Sequence, residues 1–502
     1  MRSEDVTSIT ISGSADSSGV RLSPGDVVEV VVGEAAHGGW CVARLDGSGP
    51  VVFVRHALPG ERVRARITEV TARFARADAA EILAPSADRV EPPCPYARPG
   101  GCGGCDWQHA SLPAQRELKA SVVRQQLRRI AGIDRPVTVE ALAGDEPGGT
   151  DAGRDVGTDA GGAGTPGLGW RTRVKFAVRS DGVAGLRAHR SHEVINVADC
   201  LIAHPGIRDL GVPEQPWPRA ASVEAVVATD NRESAVIVSG QVRSAAWKQT
   251  TAESVLAVAS RSGLARPGPR GRSGGRGDPG RPSGNRTTLL RGHSHLLQRA
   301  AGRTWRVSAT GFWQVHPAAA DTLARAVLDA LRPQPGDTVL DLYCGAGLFT
   351  GVLAEAVGPD GTVVGIESGS AAARDARRNL RGTPWASVYQ GDASQVIARH
   401  GLPPARLAVL DPPRAGAARE VIEYLARPAR VLVRVLAPGG AAGADDAAAG
   451  ERRIAYVSCD PATLARDIAL FAAHGWRLEN LRAFDAFPMT HHVECLATLV
   501  SR

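Results

Sequence analysis

The chain has 502 residues, eight cysteines and a formal net charge of +7, with an isoelectric point of about 9.2. Such a length predicts about three domains, and eight cysteines in so long a chain exclude a disulfide framework and favour metal binding or catalysis. The basic balance is consistent with an anionic partner such as nucleic acid, but almost all of it comes from arginine in an Ala- and Gly-rich chain, which is typical of a GC-rich coding bias.

Residues 1–21 are polar, and we expect them to be disordered. They lack the apolar core of a signal peptide, and no later run approaches the length of a membrane span. The sequence therefore predicts a cytoplasmic protein that does not associate with membranes.

Residues 22–84 predict a small β domain, because short apolar runs alternate there with Gly and Pro. Within this domain Arg62–Ile67 alternates strictly between arginine and apolar residues, which places three arginines on one face of a strand. That face could meet phosphates or simply be solvated, and the pattern alone favours neither interpretation.

A central domain is predicted at 85–304, with a helix from Gln115 to Ile130 and a mainly β segment at 170–256. Two stretches, 142–167 and 262–287, are rich in Gly and lack periodicity, so we expect disordered inserts.

A cysteine cluster opens this central domain. Three cysteines with glycines between and beside them predict a turn that directs three thiolates at one centre, and a later cysteine supplies the best fourth ligand. Four thiolates suit either zinc or a four-iron four-sulfur cluster. The four candidate ligands are Cys94, Cys102, Cys105 and Cys200.

From residue 305 to 502 strand-like and helical stretches alternate, which predicts a parallel sheet covered by helices. Residues 438–450 interrupt the pattern as a loop. The predicted strands are Thr338–Tyr343, Thr362–Glu367, Ser387–Gly391, Leu407–Asp411, Ile454–Ser458 and Leu496–Val500.

A cofactor site is predicted at the carboxyl edge of that sheet. Gly345 and Gly347 let a ligand approach the backbone after the first strand, but their spacing differs from the dinucleotide fingerprint. Glu367 ends the next strand, where an acid can hold both hydroxyls of a ribose. Asp392 could reach an adenine, and Asp411 opens an Asp-Pro-Pro-Arg sequence. This order suits S-adenosylmethionine in a Rossmann-like methyltransferase.

Cys459 ends an apolar, strand-like run and precedes a helix that Asp460 can cap and Pro461 can start. The positive end of the helix dipole should make such a thiol easier to ionise, and the thiolate is the nucleophilic form. Taken alone, a catalytic thiol and a buried inert thiol are equally good interpretations.

With these motifs the chain resembles the RNA uracil-C5-methyltransferases, which make 5-methyluridine in tRNA and in large-subunit (23S) ribosomal RNA. The β domain is similar to the TRAM module of this family, an RNA-binding barrel of OB type, and the cysteine cluster is similar to the family's iron–sulfur motif. The matching motifs are Phe312–Gln314, Asp341–Gly347, Asp411–Arg414, Ser458–Asp467 and Phe487–Glu494.

The resemblance implies a class I methyltransferase that uses S-adenosylmethionine and a covalent mechanism. Cys459 would add to C6 of the uracil, and Glu494 would remove the C5 proton. Gln314, Tyr343 and Glu367 match family cofactor contacts. Asp411 would lie where cofactor and target base meet.

For the cysteine cluster, the resemblance implies a four-iron four-sulfur cluster rather than zinc, with a structural or RNA-binding role. The target nucleotide would have to be flipped out or presented in a loop. We expect a monomer, since no coiled-coil or symmetric-interface pattern is present.

Two other functions stay open. An amino-group methyltransferase would also use an Asp-Pro-Pro motif, but it would leave Cys459 and Glu494 unexplained. An RNA-binding protein without catalysis could keep the TRAM-like domain and the cysteine cluster. The motifs do not distinguish a tRNA target from a ribosomal one.

Overall fold

The structure, a computed structural model, describes residues 22–45, 49–145, 165–230, 232–240, 246–259, 286–427 and 450–501. The predicted disordered terminus 1–21 lies outside these residues, as do most of the predicted inserts 142–167 and 262–287 and of the predicted loop 438–450. The chain divides into two compact units, Met1–Leu168 with Ala318–Arg502, and Gly169–Pro317.

The first unit begins with a closed barrel of five strands, in the order β1-β2-β3-β5-β4, which confirms the predicted β domain. The alternation predicted for Arg62–Ile67 is present, with arginines outside and apolar residues inside. Arg64 pairs with Glu81 at 2.7 Å, so acids of the barrel itself partly neutralise this basic face. The strands are β1 Val27–Ala36, β2 Trp40–Arg44, β3 Val51–Arg55, β4 Arg62–Val70 and β5 Phe74–Ala84.

Helix α1, Leu112–Gln126, matches the predicted helix and continues into one π-helical turn, Leu127–Ala131. It is buried on two sides, because Val122 packs into the core of the barrel while Val123 packs into the core of the C-terminal sheet. The short strand β6, Val139–Glu140, follows and joins that sheet. The predicted central segment 85–304 is therefore shared between the two units.

The second unit contains a seven-stranded sheet, a separate two-stranded hairpin and the short helix α2, Pro205–Arg208. The sheet packs around a core that includes the fully buried Trp217 and Val223. The described strands of the sheet are β7 Arg173–Val178, β8 Ala184–Arg187, β9 Val194–Ile195, β10 Ala220–Val227, β11 Ser234–Gly240, β12 Ser254–Ala259 and β13 Arg286–Arg291. The hairpin consists of β14 His295–Ala300 and β15 Arg303–Ser308.

The chain then returns to the first unit with alternating helices and strands, as predicted. The described helices are α3 Ala319–Leu331, α4 Leu348–Val357, α5 Ser370–Asn379, α6 Ala393–His400, α7 Arg419–Ala426 and α8 Pro461–Ala472. The strands are β16 Thr338–Leu342, β17 Thr362–Glu367, β18 Ala386–Gln390, β19 Leu407–Leu410, β20 Arg452–Ser458, β21 Arg477–Phe484 and β22 Glu494–Ser501.

These strands form an eight-stranded sheet in the order β18-β17-β16-β19-β20-β22-β21-β6. The pairs from β18 to β20 are parallel, and β22 runs antiparallel to both of its neighbours. This is the helix-covered sheet that the sequence predicts, with a Rossmann-like order of its parallel strands. None of the described helices is long and apolar enough to cross a membrane.

Candidate active site

Four of the predicted site residues lie at the carboxyl ends of neighbouring strands. Glu367 is the last residue of β17, while Tyr343, Asp411 and Cys459 directly follow β16, β19 and β20. These four strands are adjacent and parallel, so their carboxyl ends meet at one edge of the sheet. The structure therefore brings these residues together at one edge of the sheet, as the sequence predicts.

The turn after β16 is tight and leaves open space in front of its backbone. Tyr343, Gly345 and Gly347 have φ angles of 69°, 56° and 92°. A Cβ on Gly345 would meet no atom within 4 Å, whereas a Cβ on Gly347 would lie 3.2 Å from Cβ of Ala376. Backbone conformation favours glycine at both positions, and close packing against α5 adds a second reason at Gly347.

The Glu367 carboxylate is held by backbone amides around this turn. Its two oxygens accept hydrogen bonds from Gly345 N at 3.0 Å and from Gly369 N at 2.5 Å. A carboxylate oxygen has more than one acceptor position, so the side chain keeps the capacity to accept hydroxyl donors in this orientation. Its predicted contact with a ribose stays a prediction.

Asp392 caps helix α6. One of its oxygens accepts hydrogen bonds from Ser394 Oγ at 2.5 Å and from Gln395 N at 3.2 Å. The hydrogen bond from Ser394 is the main reason that the pKa of Asp392 lies below its usual value. The structure thus explains Asp392 as a helix cap, and its predicted adenine contact stays a prediction.

Two acids at the sheet edge lie in a poorly solvated environment. Burial raises the pKa of Asp341 to about 7, against the effect of a hydrogen bond from Thr350 Oγ1 at 2.5 Å. Burial and the Asp341 charge raise the pKa of Asp411 to about 7. Among the described residues, Oδ1 of Asp341 has no hydrogen-bond partner. This donor set fits a cationic ligand, because a positive charge would stabilise both carboxylates.

The predicted nucleophile and base lie opposite each other. Ser458 on β20 pairs with Cys495 on β22, and the antiparallel register places Cys459 across from Glu494. Glu494 is 5% exposed, and burial followed by the Asp411 charge raises its pKa well above the usual value, although Arg414 opposes the shift. A buried carboxyl with this pKa is a strong base once it has lost its proton.

The ionisation of Cys459 differs from the prediction. Asp460 caps α8 by accepting a hydrogen bond from Thr463 N at 2.8 Å, as the sequence predicts. Burial and the Glu494 charge nevertheless raise the pKa of Cys459 to about 11, while the charge and hydrogen bond of Arg414 pull it down. The prediction of easier ionisation considered the helix alone, whereas burial and the Glu494 charge also act on the thiol in the folded structure.

The backbone of the loop that carries Arg414 is held by polar groups of β20 and α8. Ala417 N donates to Tyr456 Oη at 3.1 Å and to an Asp467 oxygen at 3.0 Å, and Tyr456 Oη donates to Asp467. Thr463 Oγ1 donates to the Arg414 carbonyl at 3.0 Å. The loop backbone is therefore held between β20 and α8, beside Cys459.

The segment before Glu494 is held by contacts to Asp106 and to residues of helix α1. Met489, with φ of 67°, accepts from the backbone of Asp106 at 3.0 Å, and its N–H donates to Gln115 Oε1 at 2.8 Å. Lys119 and Asp485 form a buried ion pair. The sequence contains one weak indication of a special role for Lys119, because it is one of only three lysines in an arginine-rich chain.

The predicted metal ligands do not assemble into a metal group. Across the described ranges, no set of three or more His, Cys, Asp or Glu side chains is arranged to hold a metal ion. Cys94 and Cys105 are buried and Cys102 is half-buried, while Cys200 belongs to the second unit. Cys94, Cys102 and Cys105, the three predicted ligands in the first unit, do not fit an iron–sulfur cluster or a zinc ion as placed. Cys41 and Cys495 are buried in strands β2 and β22.

Gln314, a predicted cofactor contact, is buried in the second unit with 8% of its surface exposed. Phe312 in the same motif is 67% exposed. The role of Gln314 in binding a cofactor stays a prediction.

Comparison with protein families gives three matches. A TRAM domain model matches residues 21–80, and the tRNA (Uracil-5-)-methyltransferase model matches residues 443–502. A third model, Protein-L-isoaspartate(D-aspartate) O-methyltransferase, matches residues 313–401. The first two coincide with the barrel and with the segment that carries Cys459 and Glu494.

Relatives match the chain along its length. An uncharacterized RNA methyltransferase of Streptomyces avermitilis is 45% identical over 95% of this chain and 98% of its own. One of Streptomyces coelicolor is 46% identical over 95% and 93%. The structure of Pyrococcus abyssi tRNA (uracil-54, C5)-methyltransferase in complex with S-adenosyl-L-homocysteine is similar in fold, with a TM-score of 0.61, 20% identity, and 94% and 100% of the two chains covered.

Proposed function

The chain belongs to the RNA uracil-C5-methyltransferase family, whose members are S-adenosylmethionine-dependent RNA methyltransferases, and on this premise we propose that it methylates C5 of a uridine through a covalent adduct between Cys459 and C6. The observation that carries the proposal is the placement of Cys459 opposite Glu494, at the same edge of the sheet as the glycine turn.

The cofactor would supply an electrophilic methyl group on a sulfonium centre. The open space at Gly345 and the oriented Glu367 carboxylate would bind it, with Gly347, Tyr343 and Asp392 beside them. Gln314 is a further cofactor contact that the family resemblance implies. Asp341 and Asp411, which take up protons near neutral pH when no cation is bound, suit the positive charge of this cofactor.

Cys459 would form the bond to C6, because uracil C5 is a poor nucleophile until a thiolate adds to the neighbouring carbon. Formation of the S–C6 bond would move the ring's C5–C6 π electrons into an enolate. C5 would then bond to the methyl carbon while the bond between that carbon and the sulfonium sulfur breaks, which leaves S-adenosylhomocysteine. With a pKa of about 11 the thiol is largely protonated at neutral pH. Arg414 is the group that favours its ionised form.

Glu494 would then remove the proton from C5. As that proton leaves, the C5–C6 double bond reforms and the S–C6 bond breaks, which returns the thiolate and releases 5-methyluridine. Burial and the Asp411 charge make the Glu494 carboxylate unusually basic, which suits the removal of a carbon-bound proton.

RNA is the proposed partner, held by the TRAM barrel, and the target uridine must leave its stack to reach a thiol at the sheet edge. The proposal covers tRNA and large-subunit ribosomal RNA alike. We also propose the predicted domain limits 22–84, 85–304 and 305–502, a monomer, and action in the cytoplasm.

No step of this mechanism passes through an iron–sulfur cluster, because no set of three or more possible ligands is arranged to hold a metal ion among the described residues. Iron and acid-labile sulfide in protein purified without air would restore the four-iron four-sulfur prediction for Cys94, Cys102, Cys105 and Cys200. Zinc in place of iron would support the other predicted metal.

The decisive experiment compares Cys459→Ala with Cys41→Ala, a control that removes a buried barrel thiol outside the site. Transcripts of tRNA and ribosomal RNA are incubated with cofactor labelled in the methyl group, and separately with 5-fluorouridine in place of uridine. We expect the control to methylate and to form an adduct stable on denaturing gels, and Cys459→Ala to do neither.

The outcomes separate the other functions. Methylation that persists in Cys459→Ala would refute the covalent mechanism and favour an amino-group methyltransferase. Binding of RNA without any methyl transfer by the unmodified protein would favour a non-catalytic RNA-binding protein.

A further inference from the structure

A chain of contacts leads from the β barrel to Cys459. We propose that His492 is a positioning residue that holds the Arg414 guanidinium on Cys459. Asp106 secures His492 through the neighbouring His491. This inference rests on the proposed role of Cys459 and extends it, because it says which residues prepare the thiol before RNA or cofactor is bound.

The first link is the contact between His492 and Arg414. Nη2 of Arg414 lies 3.4 Å from Nε2 of His492, and the charge of the same guanidinium favours the thiolate of Cys459. A guanidinium has donors only, so Nε2 must be the acceptor, and the ring proton of neutral His492 lies on Nδ1. Arg414 is exposed, and a long exposed side chain needs a second anchor to keep one direction.

The second link fixes the His492 ring. Its centroid lies 4.1 Å from that of His491, and Phe487 meets it edge-on at 5.9 Å. His491 is fixed in turn, because its Nδ1 lies 2.6 Å from Oδ2 of Asp106 and its backbone N–H donates to the same oxygen at 3.3 Å. One carboxylate oxygen therefore sets both the ring and the backbone next to His492.

The third link reaches the barrel. Nη2 of Arg55, the last residue of β3, lies 3.4 Å from Oδ1 of Asp106, and both side chains are only 6% exposed. In the turn between β1 and β2, His37 lies 3.1 Å from Asp460, the residue after Cys459. The barrel thus contacts the segments on both sides of the reacting atoms.

The expected effect on the thiol follows from the charges that face it. These are Glu494 and Asp411, which disfavour the thiolate, and Arg414, which favours it. Charged and titratable groups near His492 are Arg414, His491, Asp106 and Lys119. Removing the anchor of Arg414 should leave the two carboxylates unopposed and raise the pKa of Cys459.

The test follows alkylation of Cys459 by iodoacetamide in the full-length protein, without RNA or cofactor, by mass spectrometry of the peptide that contains it. His492→Phe keeps a ring and removes the acceptor, whereas His492→Gln keeps an acceptor. We expect His492→Phe to slow alkylation about tenfold at any pH below the midpoint, which corresponds to a rise of about one pKa unit. His492→Gln should alkylate close to the unmodified rate.

Asp106→Asn provides a second variant that does not alter His492, with Glu117→Gln as its control, since Glu117 forms an exposed ion pair with Arg124. We expect slower alkylation for Asp106→Asn and no change for the control. A His492→Phe profile that superimposes on the unmodified one, or equal slowing in Glu117→Gln, would refute the proposal. If His492→Phe does not fold, the Asp106→Asn rate decides alone.

This readout is independent of methyl transfer. Undiminished methylation by Cys459→Ala together with slowed alkylation in His492→Phe would refute the proposed reaction and leave the positioning contacts supported. Loss of methylation by Cys459→Ala with unchanged alkylation in His492→Phe would do the reverse.

Discussion

Breaking the buried pair of Lys119 and Asp485 on one side should harm the protein more than removing the pair altogether. The two side chains are 0% and 1% exposed, and Lys119 Nζ also donates to the Phe487 carbonyl at 3.0 Å. Asp485→Asn would leave the ammonium buried without its counter-charge, which costs about 3–5 kcal/mol, while an apolar replacement of both partners is about neutral. We expect a loss of about 3 kcal/mol for Asp485→Asn and about 1 kcal/mol or less for Lys119→Met with Asp485→Leu.

The deficit of Asp485→Asn should depend on pH. Burial lowers the pKa of Lys119 and the Asp485 charge raises it, so neutralising Asp485 lowers the folded-state pKa further. Between this pKa and the unfolded value of about 10.4, the unfolded chain binds more protons than the folded one. Stability therefore rises with pH in this window, and the deficit should shrink between about pH 7 and pH 9.

The assay is urea denaturation of both single variants, the double variant and the unmodified protein at these two pH values. Glu117→Gln serves as the control, because breaking an exposed pair changes stability by about 0–1 kcal/mol. The reasoning fails if the double variant is as unstable as Asp485→Asn, or if the deficit of Asp485→Asn grows with pH.

Three further predictions concern the sheet edge. Because burial raises the folded pKa of Asp341 above its unfolded value, stability without cofactor should fall as the pH rises from about 4 to 7. Asp341→Asn should flatten this fall in urea titrations, and a fall of unchanged slope would contradict the prediction. Gly347→Ala should lower stability by about 1–3 kcal/mol and weaken S-adenosylhomocysteine binding in calorimetry. The control is Gly336→Ala, at a position with a similar φ and open space, which should affect stability alone. Tyr456→Phe removes the hydroxyl between Asp467 and Ala417, so it should lower the free energy of unfolding in urea by about 1–3 kcal/mol and slow methyl transfer. An unchanged transfer rate would show that the Arg414 loop does not depend on this hydroxyl.

Local sequence patterns were sufficient to predict most of the architecture. The barrel strands, the alternation of β4 and the order of strands and helices after residue 305 all follow from periodicity, turn residues and caps, which depend on residues a few positions apart. Asp460 shows this clearly, because the predicted cap is present at the start of α8. The division of the chain into units was less accessible, since α1 packs on both the barrel and the sheet and thereby joins segments predicted to be separate.

By itself the sequence determined which groups stand at the carboxyl edge, including Cys459, Glu367 and the glycine turn, because parallel strands bring their ends together whatever else surrounds them. The tertiary structure alone decided how those groups ionise and what supports them. Burial and the Glu494 charge raise the pKa of the Cys459 thiol, and neither cause can be read from the residues next to it in sequence. Lys119 and Asp485, which lie 366 positions apart in sequence, are brought into contact and buried only when the chain folds. The pKa of a buried group depends on its burial and on charges from residues that are distant in sequence, so no local sequence pattern predicts it.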